Sequence, residues 1–206
     1  MKRITSILLV IAIVLSLSVS LYSCKETVDS DGKLNVSTAP GQITEEQWNN
    51  AKAEAKFDNV RCDLNIKFIS EYDNREEITE YFQIDGDLVD VSREVTDDEE
   101  MVASVKSVYV GTVTSVLDNY SLFTFDSEKE QYISEGPIVY YVNVDGIDAK
   151  ITAENIVVKV NADLDIASIS FRMTQEFNDG GRDKTYVLDV NFVFSNYGTT
   201  SLTKGE

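Results

Sequence analysis

Hydrophobic positions recur along this chain with three different patterns. From Ile4 to Leu21 the sequence is almost continuously apolar. Between Val60 and Phe68 the pattern becomes strict alternation: Val60, Cys62, Leu64, Ile66 and Phe68 alternate with Arg61, Asp63, Asn65 and Lys67. Period two predicts a half-buried strand. A polar loop near Asp73 to Arg75 leads to a second strand carrying Ile78, Phe82 and Ile84. Asp85 and Gly86 predict a hairpin turn into a third strand with Leu88, Val89 and Val91. After Val95 the period is helical. Met101, Val102, Val105, Val108, Tyr109, Val113, Val116 and Leu117 fall on one face. Valine and threonine are poor helix formers, so this helix depends on packing against a sheet. Further strands are predicted at 122–125, 131–133, 138–144 and 156–160, the last ended by a turn at 161–165. The clearest pair comes last. Ile169, Phe171, Met173 and Phe177 on one side, and Tyr186, Leu188, Val190, Phe192 and Phe194 on the other, flank Asn178 to Gly181. Two long alternating runs around a glycine-rich loop predict a hairpin.

Both helices carry start signals. Thr44 and Gln47 have the spacing of a capping box, with Ile43 and Trp48 placed as a hydrophobic staple. The first helix is expected to run to about Lys56, with Trp48, Ala51 and Ala55 on one face and Trp48 as its core anchor. Thr96 and Glu99 suggest a second capping box, with Asp97, Asp98, Glu99 and Glu100 in the first turn. Negative charge there meets the positive end of the helix dipole, so the cluster reads as helix-start chemistry and not as a metal site.

These elements predict an α+β domain: a curved antiparallel sheet, an open half-barrel of about eight strands, with two main helices packed on its apolar face. Twist makes a wide sheet curl, and a curled sheet under a helical lid encloses an apolar groove. The candidates for lining that groove, or for filling a core, are Trp48, Leu64, Ile66, Phe68 and Phe82, with Val105, Tyr109, Phe171, Met173 and Phe192. Both roles produce the same period, so the pattern leaves them open.

The apolar N-terminal run follows Lys2 and Arg3, as in a secretory signal. Leu21, Tyr22, Ser23 and Cys24 then resemble the lipobox of bacterial lipoproteins, although Tyr22 is larger than that pattern prefers. The resemblance implies a signal at 1–23 and a lipid on Cys24. It also implies an exported protein held on the outer side of the cytoplasmic membrane or in the outer membrane. An ordinary cleaved signal and a retained helix are the alternatives, since a bilayer span takes about 20 residues. Residues 24–43 read as a tether, polar and aperiodic around Pro40 and Gly41, and residues 44–203 as the domain. Asp29 to Gly32 look faintly like the start of a calcium loop but lack its later ligands, and read as linker.

Composition narrows the chemistry. The net charge is −18, and more negative still without Lys2 and Arg3. That argues against nucleic acid and against direct adhesion to anionic headgroups. There is no histidine, the commonest general base and metal ligand. With Cys24 lipidated, Cys62 has no partner in the chain and reads as a small buried hydrophobe. No nucleophile elbow, phosphate loop, dinucleotide fingerprint or zinc spacing occurs. No cofactor, metal or catalytic residue is expected. Asp85 with Asp87, and Asp179 with Asp183, read as turn residues, and Tyr140 and Tyr141 as one core-facing and one surface-facing residue of a strand.

The closing stretch from Phe192 through Ser195, Asn196, Tyr197, Gly198, Thr199 and Thr200 resembles a terminal-strand motif of the LolA-like and LppX/LprG-like bacterial lipoproteins. The Trp48 helix and the strand after Asn59 fit the same layout. Lys204 and Gly205 stand where those relatives usually have proline. The resemblance implies a half-barrel with helices inside it and, in some relatives, a lipid or lipoprotein cargo. The expected function is therefore a noncatalytic envelope lipoprotein that binds or carries a lipid or other apolar ligand. The alternative is an interaction or structural module with a filled core.

Overall fold

The computed structural model describes residues 41–69, 77–91, 93–144, 147–179 and 181–204. The signal, Cys24, the Asp29–Gly32 segment and the loop at 73–75 lie outside the described residues.

Helix α1 spans Glu45–Ala51, and its capping box forms as expected. Thr44 Oγ1 accepts from the Gln47 amide at 3.2 Å, and Gln47 Oε1 accepts from the Thr44 amide at 2.8 Å. The helix does not reach Lys56. Ala53 turns extended, and a separate 3-10 turn covers Glu54–Phe57. Ala55 is exposed, while Phe57 is buried against the rings of Phe194 and Tyr197. Breaking the helix swings Phe57 into the core, and burying an aromatic ring outweighs the loss of one helical turn. Ile43, the last residue of the expected tether, is already buried. Its amide donates to the Tyr132 hydroxyl at 2.6 Å and its carbonyl accepts from Tyr120 at 2.8 Å.

Helix α2 spans Glu99–Val116, and its cap is Asp98, not Thr96. Asp98 Oδ1 accepts from the Met101 amide at 2.9 Å. Thr96 is held in the sheet, where it pairs with Val89, so its hydroxyl turns to the Asp98 amide instead. The buried face carries Val105, Val110, Val113, Val116 and Leu117. Val110 joins the expected face through its i,i+3 spacing to Val113, whereas Met101 is 44% exposed in the first turn. The side chains of Val108 and Tyr109 lie outside the described set. No helix among the described residues is long and apolar enough to cross a membrane.

The described residues form ten strands rather than about eight. They are β1 Asn59–Ile69, β2 Glu77–Asp85, β3 Leu88–Val91, β4 Glu94–Thr96 and β5 Phe123–Asp126, then β6 Gln131–Ser134, β7 Ile138–Val144, β8 Ile147–Val160, β9 Ile166–Asp179 and β10 Arg182–Ser195. They make one antiparallel, unclosed sheet in the order β4-β3-β2-β1-β10-β9-β8-β6-β5, with β7 beside β8. The fold is broadly α+β with a curved sheet. β1 and β10, far apart in sequence, pair at its centre through Cys62↔Phe194, Leu64↔Phe192 and Ile66↔Val190. The turn after β2 has Gly86 at φ 61°, the left-handed conformation that a two-residue hairpin loop demands.

β8 begins well before the expected Ile156. Its register against β9 shifts between Glu154 and Val157, where Asn155 takes φ 54°. This bulge moves the buried phase from Ala149, Ile151 and Ala153 to Ile156 and Val158. An extra residue bends a strand and increases twist, which helps the sheet curve. The phase break and the two small alanines hide the first half of β8 from a search for alternation.

The C-terminal stretch is sewn to the sheet by Asn59. Its Nδ2 donates to Asp85 Oδ1 and to the Thr200 carbonyl, both at 2.8 Å, and its Oδ1 accepts from the Thr200 amide at 2.8 Å. Asp85, expected only as a turn residue, also accepts from the Leu202 amide. Tyr197 donates its hydroxyl to the Ile166 carbonyl at 2.9 Å.

Candidate functional site on the apolar face of the sheet

Alternation turns one face of the sheet inward. On β9 the inward residues are Ile169, Phe171, Met173, Gln175 and Phe177. Opposite them on β10 stand Phe192, Val190, Leu188 and Tyr186. Trp48, Leu64, Ile66, Phe82, Val105, Phe171, Met173 and Phe192 all belong to one buried cluster, and Phe68 packs at its margin. Of the groove or core candidates, only Tyr109 has its side chain outside the described set.

The two ends of this face differ. At the Ile169 end Trp48 is fully buried. The rings of Tyr120, Phe123 and Tyr132 surround it at 5.4, 4.9 and 5.0 Å. Burial pushes the Tyr132 phenol above its ordinary pKa. Eight residues along β9, on the order of 25 Å away, Phe177 is only half-buried. It lies 5.6 Å from the ring of Tyr186, which is 43% exposed. Phe68 of β1, level with Met173, and Ile78 of β2, level with Phe171, are also only partly covered.

Polar residues also fall in this phase, Lys184 of β10 opposite Phe177 among them. Glu80 sits in the inward phase of β2, half-buried and opposite Leu64. Gln175 is fully buried between Ile151 of β8 and Tyr186 of β10. Its Nε2 donates to Met173 Sδ at 3.8 Å, and its Oε1 has no hydrogen-bond partner among the described residues. Sequence reasoning missed Gln175. The signal was a polar residue in the apolar phase of an otherwise regular strand, between Met173 and Phe177.

The opposite face is polar. Arg61 pairs with Asp63 at 2.6 Å and lies 4.4 Å over the Tyr81 ring. The hydrogen bond to Asp63 raises the Arg61 pKa further. Asp90 is buried there and accepts from Tyr81 and Gln83 through Oδ2. An open depression of about 350 Å³ runs past Asn65, Ser170, Arg172 and Asp189. Another, of about 410 Å³, lies beside Tyr141, Lys150 and Glu176. A third, also about 410 Å³, lies not on this face but at the Trp48 end of the core, lined by Ile43, Phe125, Tyr132 and Leu164.

Cys62 is buried on the inner face, and burial pushes its thiol well above the ordinary cysteine pKa. It is therefore a neutral thiol and a poor nucleophile. Tyr141, on β7, is 77% exposed, as expected for the surface-facing member of its pair; the side chain of Tyr140 is outside the described set. Among the described residues no cluster of cysteine and carboxylate side chains could hold a metal ion. The inner face can sequester apolar surface and offer one neutral acceptor. No known protein family, curated protein or solved structure matches the chain.

Proposed function

We propose that this protein is a noncatalytic lipoprotein of the cell envelope that binds a lipid or other apolar molecule on the inner face of its curved sheet, beneath α1 and α2. The observation that carries this reading is the asymmetry of that face. One end is filled around Trp48, whereas Phe68, Phe177 and Tyr186 are incompletely covered at the other. Exposed aromatic surface at the margin of an apolar face marks a place where further apolar surface is to be buried. A diacylated Cys24 would hold the domain on the membrane, the source of such ligands.

Organic-solvent extraction of the purified protein, followed by mass spectrometry, tests the reading. A stoichiometric apolar molecule is the expected result. A ligand-free extract, together with a crystal structure whose inner face is packed to its end, would sink it.

Exposure of Val139 and Tyr141 on β7, which pairs only with β8 among the described strands, favours a second reading. In that reading the protein is an interaction module that recruits a partner by strand addition. Capture of one protein from envelope extract, lost in Tyr141→Asp, would support it over ligand carriage.

A further inference from the structure

We propose that Gln175 is the polar contact for the inner-face ligand, and that this ligand is an uncharged amphiphile donating one hydroxyl or amide hydrogen to Gln175 Oε1. The inference rests on the groove reading above and names the ligand class.

Three observations lead to it. A buried amide oxygen without a partner is costly, because it has given up water and gained nothing in return. Gln175 Oε1 is such an atom, among the described residues, on a side chain with no solvent exposure. The other end of the amide is engaged, since Nε2 points to Met173 Sδ. The group left over is therefore an acceptor, and what completes it is a donor.

The surroundings set the charge of the ligand. An ionised carboxylate or phosphodiester has no hydrogen to give and would place negative charge against a carbonyl oxygen. Burying an ionic head of either sign among Ile151, Met173 and Leu188 would add the cost of desolvating a charge. A hydroxyl or amide N–H carries a donor without the charge.

Position completes the argument. Gln175 stands one inward step from Phe177, at the incompletely covered end, and pairs directly with the exposed Tyr186. The polar end of a ligand would rest there, while its hydrocarbon replaces solvent over Phe177, Tyr186 and Phe68.

Photo-crosslinking of the full chain in its own membranes tests this. The probes are a sixteen-carbon alcohol bearing a diazirine and an alkyne tag, and the methyl ether of the same chain. The wild-type protein should be labelled about five-fold more by the alcohol, the advantage of one net hydrogen bond. The label should map to β9 or β10. In Gln175→Met and in Gln175→Leu the ratio should fall to about one, with ether labelling retained as the control for folding. Equal labelling of wild type by both probes, or an unchanged ratio in both variants, overturns the assignment of Gln175 and leaves the groove intact. Failure of both probes to label wild type overturns the groove reading itself, and this inference with it.

Discussion

The indole Nε1 of Trp48 donates to the backbone carbonyl of Leu117 at 2.9 Å, joining α1 to the residue that caps the end of α2. The last carbonyls of a helix have no partner within it. Here a side chain 69 residues away supplies one. The same ring fills the space between Tyr120, Phe123 and Tyr132.

Trp48→Phe keeps most of the apolar surface but removes the donor and leaves a void. It should destabilise the fold by about 2 kcal/mol or more. Urea denaturation followed by circular dichroism would measure this, and an unchanged midpoint would show that the hydrogen bond contributes nothing.

Asn59 should matter more than its half-exposed position suggests. Asn59→Ala strands the Thr200 amide and carbonyl, and removes a donor from Asp85. A loss of about 2 kcal/mol is expected, with early proteolysis after Tyr197. Cleavage no faster than in wild type would mean that Tyr197 and Leu202 hold the C-terminal stretch without it.

Cys62 makes the fold sensitive to alkaline pH. Its folded pKa is raised by burial above the unfolded value of about 8.5. The folded state thus binds the proton more tightly. The stabilisation is complete below that pH and is lost as pH rises above it. In a Cys24→Ser background the denaturation midpoint should fall above about pH 8.5, and Cys62→Ala should flatten the fall up to about pH 10. Tyr132 and Tyr197, also raised by burial, act only above that. Rapid reaction of native Cys62 with a thiol reagent at pH 8 would contradict the burial argument.

Gln175→Met should stabilise the ligand-free protein by about 1–3 kcal/mol, since it removes an unpartnered acceptor from an apolar site. A residue kept against stability is the mark of a functional position. A lower melting temperature in Gln175→Met would instead mean that the amide is satisfied and structural.

Cys24→Ser should release the protein into the soluble fraction or block its maturation, because attachment is the role proposed for that thiol. Unchanged processing and membrane retention would leave the apolar segment as a plain signal or anchor.

Local patterns carried much of this protein in plain view. The strands around Leu64 and Phe171, the Thr44 capping box and the buried states of Trp48 and Cys62 all follow from spacing and residue type. These depend on interactions within a few residues, so periodicity reports them. Tertiary structure alone decided the rest. The pairing of β1 with β10 joins segments more than a hundred residues apart, and nothing in either strand names its partner. The bulge at Asn155 reverses the phase of β8 in mid-strand, which no fixed period follows. Phe57 ends α1 early because its pocket lies between Phe194 and Tyr197. Gln175 counts as a lone acceptor only once its neighbours on β8 and β10 are in place. The period sets which face a residue joins, but coverage of that face depends on which distant segments reach it.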